Sequence, residues 1–169
     1  LVAGVYGAIH SMLGGIGRSR LATGNIVAIE NPSDDITTVR CHLAPGWHGH
    51  HPGQFAFVTF DDNEGAHPFT IASADQGDNV ISFQIKALGD YTRGLARRLQ
   101  PGQMVRVEGP YGRFDLARRN PRARQIWIAG GIGVTPFLAW LESLQGKPEL
   151  VPEADLHYCT RDQARDSFV

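Results

Sequence analysis

His67, Phe69, Thr70 and Ser73 stand close together in the run His67-Pro68-Phe69-Thr70-Ile71-Ala72-Ser73. They offer a ring able to carry positive charge, an aromatic face and two hydroxyls, stiffened by a proline. A flat ring system with hydrogen-bonding edges and a phosphate tail would find its contacts in such a set, and a flavin nucleotide is one. The same alternation, Phe69, Ile71 and Ser73 against Thr70 and Ala72, also describes an ordinary half-buried strand. Taken alone, the run supports both readings.

Two further stretches have the residue types for binding phosphate. Gly89-Asp90-Tyr91-Thr92 opens a helical pattern, with Thr92 expected as its N-cap. A glycine lets a ligand approach the backbone, and the free amides of a first helical turn attract an anion. A plain structural cap is the alternative. Gly131-x-Gly133-x-x-Pro136 lies between an apolar strand and an amphipathic helix. It follows the dinucleotide fingerprint with proline in place of the third glycine. The acidic residue expected about 20 positions on is replaced after the next strand by Thr160-Arg161. An arginine there favours a 2′-phosphate, so NADPH is expected with NADH as the alternative; a surface charge is the other reading of Arg161.

The histidines of Trp47-His48-Gly49-His50-His51 could bind a divalent ion, but they read better as a solvated loop before a strand, and no metal site is expected. His10 reads as a helix or loop residue rather than a haem ligand.

The elements that must position these residues follow from the period of the apolar positions. Short alternating runs at 25–30, 36–43, 54–60, 68–73, 80–86 and 104–108 are separated by turn residues such as Pro45-Gly46, Pro52-Gly53, Gln76-Gly77-Asp78 and Pro101-Gly102. That spacing predicts an antiparallel barrel interrupted by one helix at 92–99, with Leu95 and Leu99 on one face. Arg118, Arg119, Arg122 and Arg124, around Asn120-Pro121, mark a solvated linker at 118–124. Beyond it the pattern becomes strand (125–129), glycine turn, helix (135–144), strand (154–159) and a helix start after Arg161, which is a βαβ unit. The expected fold class is therefore an all-β antiparallel barrel over 21–117, followed by a partial α/β nucleotide-binding domain over 125–169.

Residues 1–17 carry no charge apart from His10 and close on Arg18-Ser19-Arg20. The 1–20 stretch resembles the cytoplasmic end of a transmembrane helix, slightly shorter than the roughly 20 residues of a full span. An N-terminal core segment is the alternative. The chain starts at Leu1 and stops at Phe168-Val169, which reads as a piece of a longer protein. Sixteen basic and seventeen acidic residues leave no global field for nucleic acid. Two separated cysteines, Cys41 and Cys159, argue against a disulfide scaffold or an iron–sulfur ligand set and suit a reducing compartment.

Five motifs in fixed order carry a family likeness: Pro52-Gly53-Gln54-Phe55, His67 to Ser73, Gly89-Asp90-Tyr91-Thr92-Arg93, Gly109-Pro110-Tyr111-Gly112-Arg113-Phe114 and Gly130-Gly131-Ile132-Gly133-Val134-Thr135-Pro136. Over about 24–169 the chain resembles the ferredoxin-reductase superfamily of FAD/NAD(P)H flavoproteins. The His67-Pro68-Phe69-Thr70 form, with histidine where many soluble members carry arginine, is similar to the ferric reductase and NADPH oxidase branch.

The resemblance implies that Phe69 lies along the flavin and that Thr70 acts beside its reactive N5. His67 and Thr92 would serve the FAD phosphates, and Pro68, Ile85, Lys86, Gly89 and Tyr91 would also be cofactor-binding. Gly130, Gly131, Gly133, Thr135, Pro136 and Arg161 would hold the nicotinamide nucleotide. Gly109, Pro110, Tyr111 and Gly112 would shape the cleft between the domains. It implies an oxidoreductase module on the cytoplasmic side of the cell membrane, moving hydride from NADPH to FAD and electrons to a haem domain upstream in the same chain. The alternatives are a soluble cytoplasmic flavin reductase feeding an iron–sulfur partner, and a non-catalytic binding barrel. The family's later cysteine–glycine motif beside the nicotinamide lies beyond this stretch, so hydride transfer by these residues alone is not implied.

Overall fold

The computed structural model describes residues 18–118, 120, 123–161, 166 and 168. Residues 1–17 of the membrane-helix end expected at 1–20, His10, Arg119 and Arg122 of the expected linker, and the helix start at 162–165 lie outside the described residues. Among those described, no helix is long and apolar enough to cross a membrane.

Six strands form one antiparallel sheet: β1 (Leu21–Ser33), β2 (Ile36–Leu43), β3 (Phe55–Thr59), β4 (His67–Thr70), β5 (Val80–Lys86) and β6 (Met104–Tyr111). They pair in the order β4-β3-β6-β1-β2-β5. A bridge between Ile71 and Phe83 joins the two end strands and closes the barrel. The Ala72 amide donates to the Ser82 carbonyl at 2.7 Å beside it.

The period-two pattern decides which side of each strand is buried. In β5, Ile81, Phe83 and Ile85 point inward, while Ser82, Gln84 and Lys86 lie outward and half-buried. In β2, Val39, Cys41 and Leu43 supply the inner face. Burial in that core pushes the Cys41 thiol up to about 12, so it acts as a small apolar residue. Gly24 sits on the inner face of β1, where a Cβ would lie 2.8 Å from Leu43 Cδ2, so a larger residue would force β1 and β2 apart.

β1 is longer than expected, running over 13 residues with two register irregularities, between Ile26 and Ala28 and between Glu30 and Ser33. Bulges let one strand bend across two parts of a barrel. The single helix expected at 92–99 is instead two short ones, α1 (Asp90–Arg93) and α2 (Leu95–Arg98), separated at Gly94. Glycine is a poor helix interior residue, and the break still lets Leu95 and Leu99 plug the barrel end, 2% and 6% exposed.

After the barrel come β7 (Gln125–Gly130), a 3₁₀ turn over Gly131–Val134, α3 (Thr135–Ser143) and β8 (Ala154–Cys159). β7 and β8 pair in parallel, as a βαβ unit requires. Phe137 and Trp140 of α3 pack on Trp127 and Ala129. The opposite face of β7 presents Ile126 and Ile128, 67% and 72% exposed.

The barrel and this unit are joined at Pro52-Gly53. Trp140 Nε1 donates to the Pro52 carbonyl at 2.8 Å, and its ring stacks on Phe114 with centroids 4.7 Å apart. Gly53 has φ +94°, and a Cβ there would strike the Phe114 carbonyl and approach Trp140 Nε1 to 2.6 Å. Glu142 of α3 accepts the Ala74 amide at 2.8 Å.

Candidate cofactor cleft

β4 and β5 meet only near Ile71 and Phe83. Beyond that bridge their facing edges separate, and strand edges without a partner leave backbone donors and acceptors free to pair with something else. The gap is a cleft of about 450 Å³. Its walls bring together His67, Pro68, Phe69 and Thr70 from β4, Gln84, Ile85 and Lys86 from β5, and Leu88 to Thr92 at the start of α1. Ile132, Gly133 and Thr135 reach it from the second unit.

Register explains the presentation. Phe69 lies opposite Ala56 and is half-buried against the core, 6.2 Å from Phe60 and 6.3 Å from Phe83 between ring centroids. Thr70 pairs with Phe55 and takes the other side of the strand. His67 stacks on Tyr91 at 3.8 Å between centroids, with the planes 11° apart, and the Arg98 guanidinium lies 5.3 Å from the same Tyr91 ring. Burial raises the Tyr91 hydroxyl above its ordinary pKa, so it stays a neutral donor. Three polar atoms in these walls, His67 Nε2, Gln84 Oε1 and Tyr91 Oη, are buried without a protein hydrogen-bond partner. Ile85 keeps its side chain in the core, 2% exposed, so it can serve the cleft with little beyond its backbone.

Thr92 is not the N-cap. Gly89 holds that position with extended backbone, and Thr92 sits in the first turn of α1. Its Oγ1 accepts the amides of Leu88 at 3.0 Å and Gly89 at 3.1 Å, pinning the approach to the helix from inside. A threonine at the N-cap and one three places after it look alike in sequence; the side-chain bond separates them.

A second cleft, about 800 Å³, adjoins the first and shares Lys86, Leu88 and Ile132 with it. Gly130, Gly131, Cys159, Thr160, Arg161, Asp35, Ile36, Ala87 and Asp166 complete it. Gly131 has φ +49°, the left-handed value that lets β7 turn sharply into the 3₁₀ turn. Thr135 is 1% exposed and its hydroxyl donates to the Ile132 carbonyl at 2.7 Å, so it holds that turn in shape. Pro136 lies in the first turn of α3, where its missing amide costs no hydrogen bond. Lys86 pairs with Asp35 at 3.2 Å across the mouth.

Gly109, Pro110, Tyr111 and Gly112 do not line either cleft. Gly109 ends the inner face of β6 against Ala56, while Tyr111 lies on the outer face and joins Phe55 and Phe57 in a three-ring cluster. Tyr111 donates to Glu108 at 2.6 Å, which raises the phenol above its usual value, and Arg20 lies over its ring. Nor is the histidine loop simply solvated. His50 is 6% exposed, and its Nε2 lies 2.9 Å from the Ser73 carbonyl, fixing the end of the His67 to Ser73 run.

The family model of an FAD-binding domain matches residues 22–115. The chain belongs to this FAD-binding family. It is similar to proteins of several kinds. The anthranilate 1,2-dioxygenase electron transfer component of Acinetobacter baylyi is 28% identical over 168 residues, 96% of this chain and 48% of that protein. The mitochondrial ferric reduction oxidase 8 of Arabidopsis thaliana is 35% identical over 96 residues, 50% of this chain and 13% of that protein. A ferredoxin NADP+ reductase from Neisseria gonorrhoeae, solved with bound FAD and NADP, shares the fold with a TM-score of 0.67 at 18% identity, covering 82% of this chain and 57% of that one. The chain spans less than half the length of these curated relatives.

The FAD-binding match begins at β1 and ends where β6 gives way to Asp115, so it covers the barrel and the first cleft apart from the Ile132, Gly133 and Thr135 wall. Gln84, Leu88, Ile132 and Asp166 are cleft residues that the motif reading passed over. Gln84 was within reach of it, since the alternation of β5 puts that side chain outward beside Lys86.

Proposed function

We propose that the chain holds FAD in the cleft between β4 and β5 and a reduced nicotinamide nucleotide in the adjoining cleft, as a module that moves hydride from one to the other. The observation that carries this is the opening itself: the barrel's one incompletely paired seam is walled by the His67–Thr70 and Gly89–Thr92 motifs and lined with buried polar atoms lacking partners. A hydrogen-bonding ring supplies partners to such atoms and removes the cost of leaving them bare. Bound FAD would accept two electrons as hydride and release them singly.

The side chains divide the work. Thr70, on the free side of β4, is placed to bond the reactive edge of the ring. Phe69 supports the ring from the core side, and Ile85 offers the cleft its backbone. His67 and the backbone at Gly89, held by Thr92, serve the phosphates. Ile132, Gly133 and Thr135 bring the second unit to the first cleft, so the two ligands would share a wall and the reacting atoms would be oriented by the fold.

Onward transfer to a haem-bearing membrane domain is supported by the His67-Pro68-Phe69-Thr70 sequence and the likeness to the ferric reduction oxidase. It implies a module on the cytoplasmic side of a membrane. Transfer to a separate iron–sulfur protein is the second reading, favoured by the match over 96% of the chain to a dioxygenase electron transfer component.

Titration with FAD is expected to give bound-flavin absorbance. Thr70→Val should slow flavin reduction more than it weakens FAD binding, since it removes one contact and little area. Weakened binding with an unchanged reduction rate would sink the role given to Thr70, and absence of flavin binding by the wild type would sink the cleft assignment. Haem absorbance in the full-length protein would support the membrane reading, and rapid reduction of an added [2Fe–2S] ferredoxin the other.

A further inference from the structure

Arg161 points to NADPH, but a carboxylate, Asp166, lines the same cleft. In a βαβ nucleotide unit, the adenosine ribose lies beyond the carboxyl end of the second strand, where an acidic residue takes the 2′-hydroxyl. β8 ends at Cys159 with Thr160 and Arg161 following, so that acidic residue is missing from the sequence position. Asp166 returns to the same place. Its Oδ2 accepts the Tyr158 hydroxyl at 2.7 Å and the Thr160 hydroxyl, and its Oδ1 accepts the Phe168 amide at 2.9 Å. It shares the cleft with Gly130, Gly131 and Arg161.

We propose that Asp166 sets coenzyme choice in this cleft, selecting the free ribose 2′-hydroxyl of NADH and disfavouring the 2′-phosphate of NADPH. The inference rests on the reading of this cleft as the nicotinamide nucleotide site.

Three physical points carry it. The first is charge. The donated hydrogen bonds, that from Thr160 foremost, hold the Asp166 carboxyl below the usual range, so it is an anion at neutral pH. A phosphate dianion brought beside it is repelled, whereas a ribose hydroxyl is neutral. The second is hydrogen-bond capacity. A carboxylate has about four acceptor positions, and three are taken by Tyr158, Thr160 and Phe168. Among the described residues no further donor reaches it, which leaves a position on Oδ1 for one donated ribose hydroxyl. The Thr160 proton is already committed to Asp166, so a phosphate cannot claim it. The third is the weakness of the opposing cations. Arg161 is exposed, where solvent and salt screen it, and Lys86 is already paired with Asp35.

The test is equilibrium binding of NADH and of NADPH to the full-length protein, followed by tryptophan fluorescence or calorimetry, with folding checked by thermal melting. Wild type is expected to bind NADH about tenfold more tightly than NADPH or better, the factor that roughly 1.4 kcal/mol corresponds to. Asp166→Asn, which keeps shape and removes charge, should tighten NADPH by about tenfold and change NADH by less than about threefold. Arg161→Ala should change the NADPH-to-NADH ratio by less than about threefold, so the inference is tested even if the Asp166 variant misfolds. Tighter NADPH binding by wild type, equal shifts for both coenzymes in Asp166→Asn, or a tenfold NADPH loss in Arg161→Ala would each overturn the assignment of Asp166. Binding of neither coenzyme to wild type that still binds FAD would overturn the nucleotide cleft and Asp166 together.

Discussion

The barrel and the βαβ unit solve the same problem to different degrees. In the barrel the four inner strands each have two neighbours, one bridge joins the end strands β4 and β5, and Val39, Val58, Ile71, Phe83 and Val107 are fully buried in one core. In the βαβ unit two parallel strands are covered by α3 on one face, while Ile126, Ile128 and Leu156 stay exposed. Parallel sheets are normally covered on both faces. The difference teaches that sheet closure makes a self-sufficient unit, and that the candidate site lies where closure is incomplete. β4 and β5 touch through one bridge, and the cleft is the price of that seam.

The largest expected contrast comes from emptying each core in turn. Phe83→Ala should cost about 3–5 kcal/mol of barrel stability and abolish FAD binding with it. Trp127→Ala should loosen the βαβ unit and leave FAD titration intact. Hydrogen exchange should then show slow amides in the barrel strands and fast ones across β7 and β8, even in the 169-residue wild-type chain. Protection of β7 and β8 equal to that of β2 and β5 would show the two regions to be one cooperative unit and remove the contrast.

A smaller effect tests the joint between the regions. Burial depresses the His50 pKa below its ordinary 6.5, against the weaker pull of the Ser73 carbonyl, Asp75 and Glu142. The folded state thus prefers neutral His50. Between the depressed value and about 6.5 the unfolded chain binds the proton and the folded one does not, so stability is full above that range and is lost as pH falls through it. Thermal melting from pH 8 to pH 5 should show this loss in wild type and a flatter profile in His50→Gln. An unchanged slope in the variant would place the pH sensitivity in other groups.

The smallest effect is the most diagnostic of the bare face. Ile128→Ser, at a residue 72% exposed, should change stability by no more than about 0.5 kcal/mol in this chain. A loss of about 2 kcal/mol or more, on the scale of a buried aliphatic side chain, would mean that this face is covered.

Much of the fold is legible from local pattern. Alternation in Val80–Lys86 and Ile36–Leu43 marks both strands with their inward faces, and the glycines after Ala129 mark the turn into α3. The helix at 92–99 is less legible. Its apolar spacing is helical, but Gly94 breaks the hydrogen-bond run, and only packing of Leu95 and Leu99 against the barrel end decides where the second piece starts. The motif Gly109-Pro110-Tyr111-Gly112 is expected at the cleft between domains; β6 instead turns Tyr111 to the outer face beside Phe55 and Phe57 of β3 and Gly109 inward against Ala56.

By itself, the sequence determined the strands, their buried faces, the glycine turn of the nucleotide unit and the chemistry-bearing run from His67 to Ser73. Those features depend on neighbours within a few residues, through backbone period, side-chain alternation and allowed φ/ψ. Tertiary structure alone decided which strand pair would be left unzipped, that Thr92 would fasten the amides of Leu88 and Gly89, and that Asp166 would return to the end of β8. Each of these depends on where segments distant in the chain come to rest, and a carboxylate seven residues past a strand meets Tyr158 and Thr160 only after the fold has brought it back.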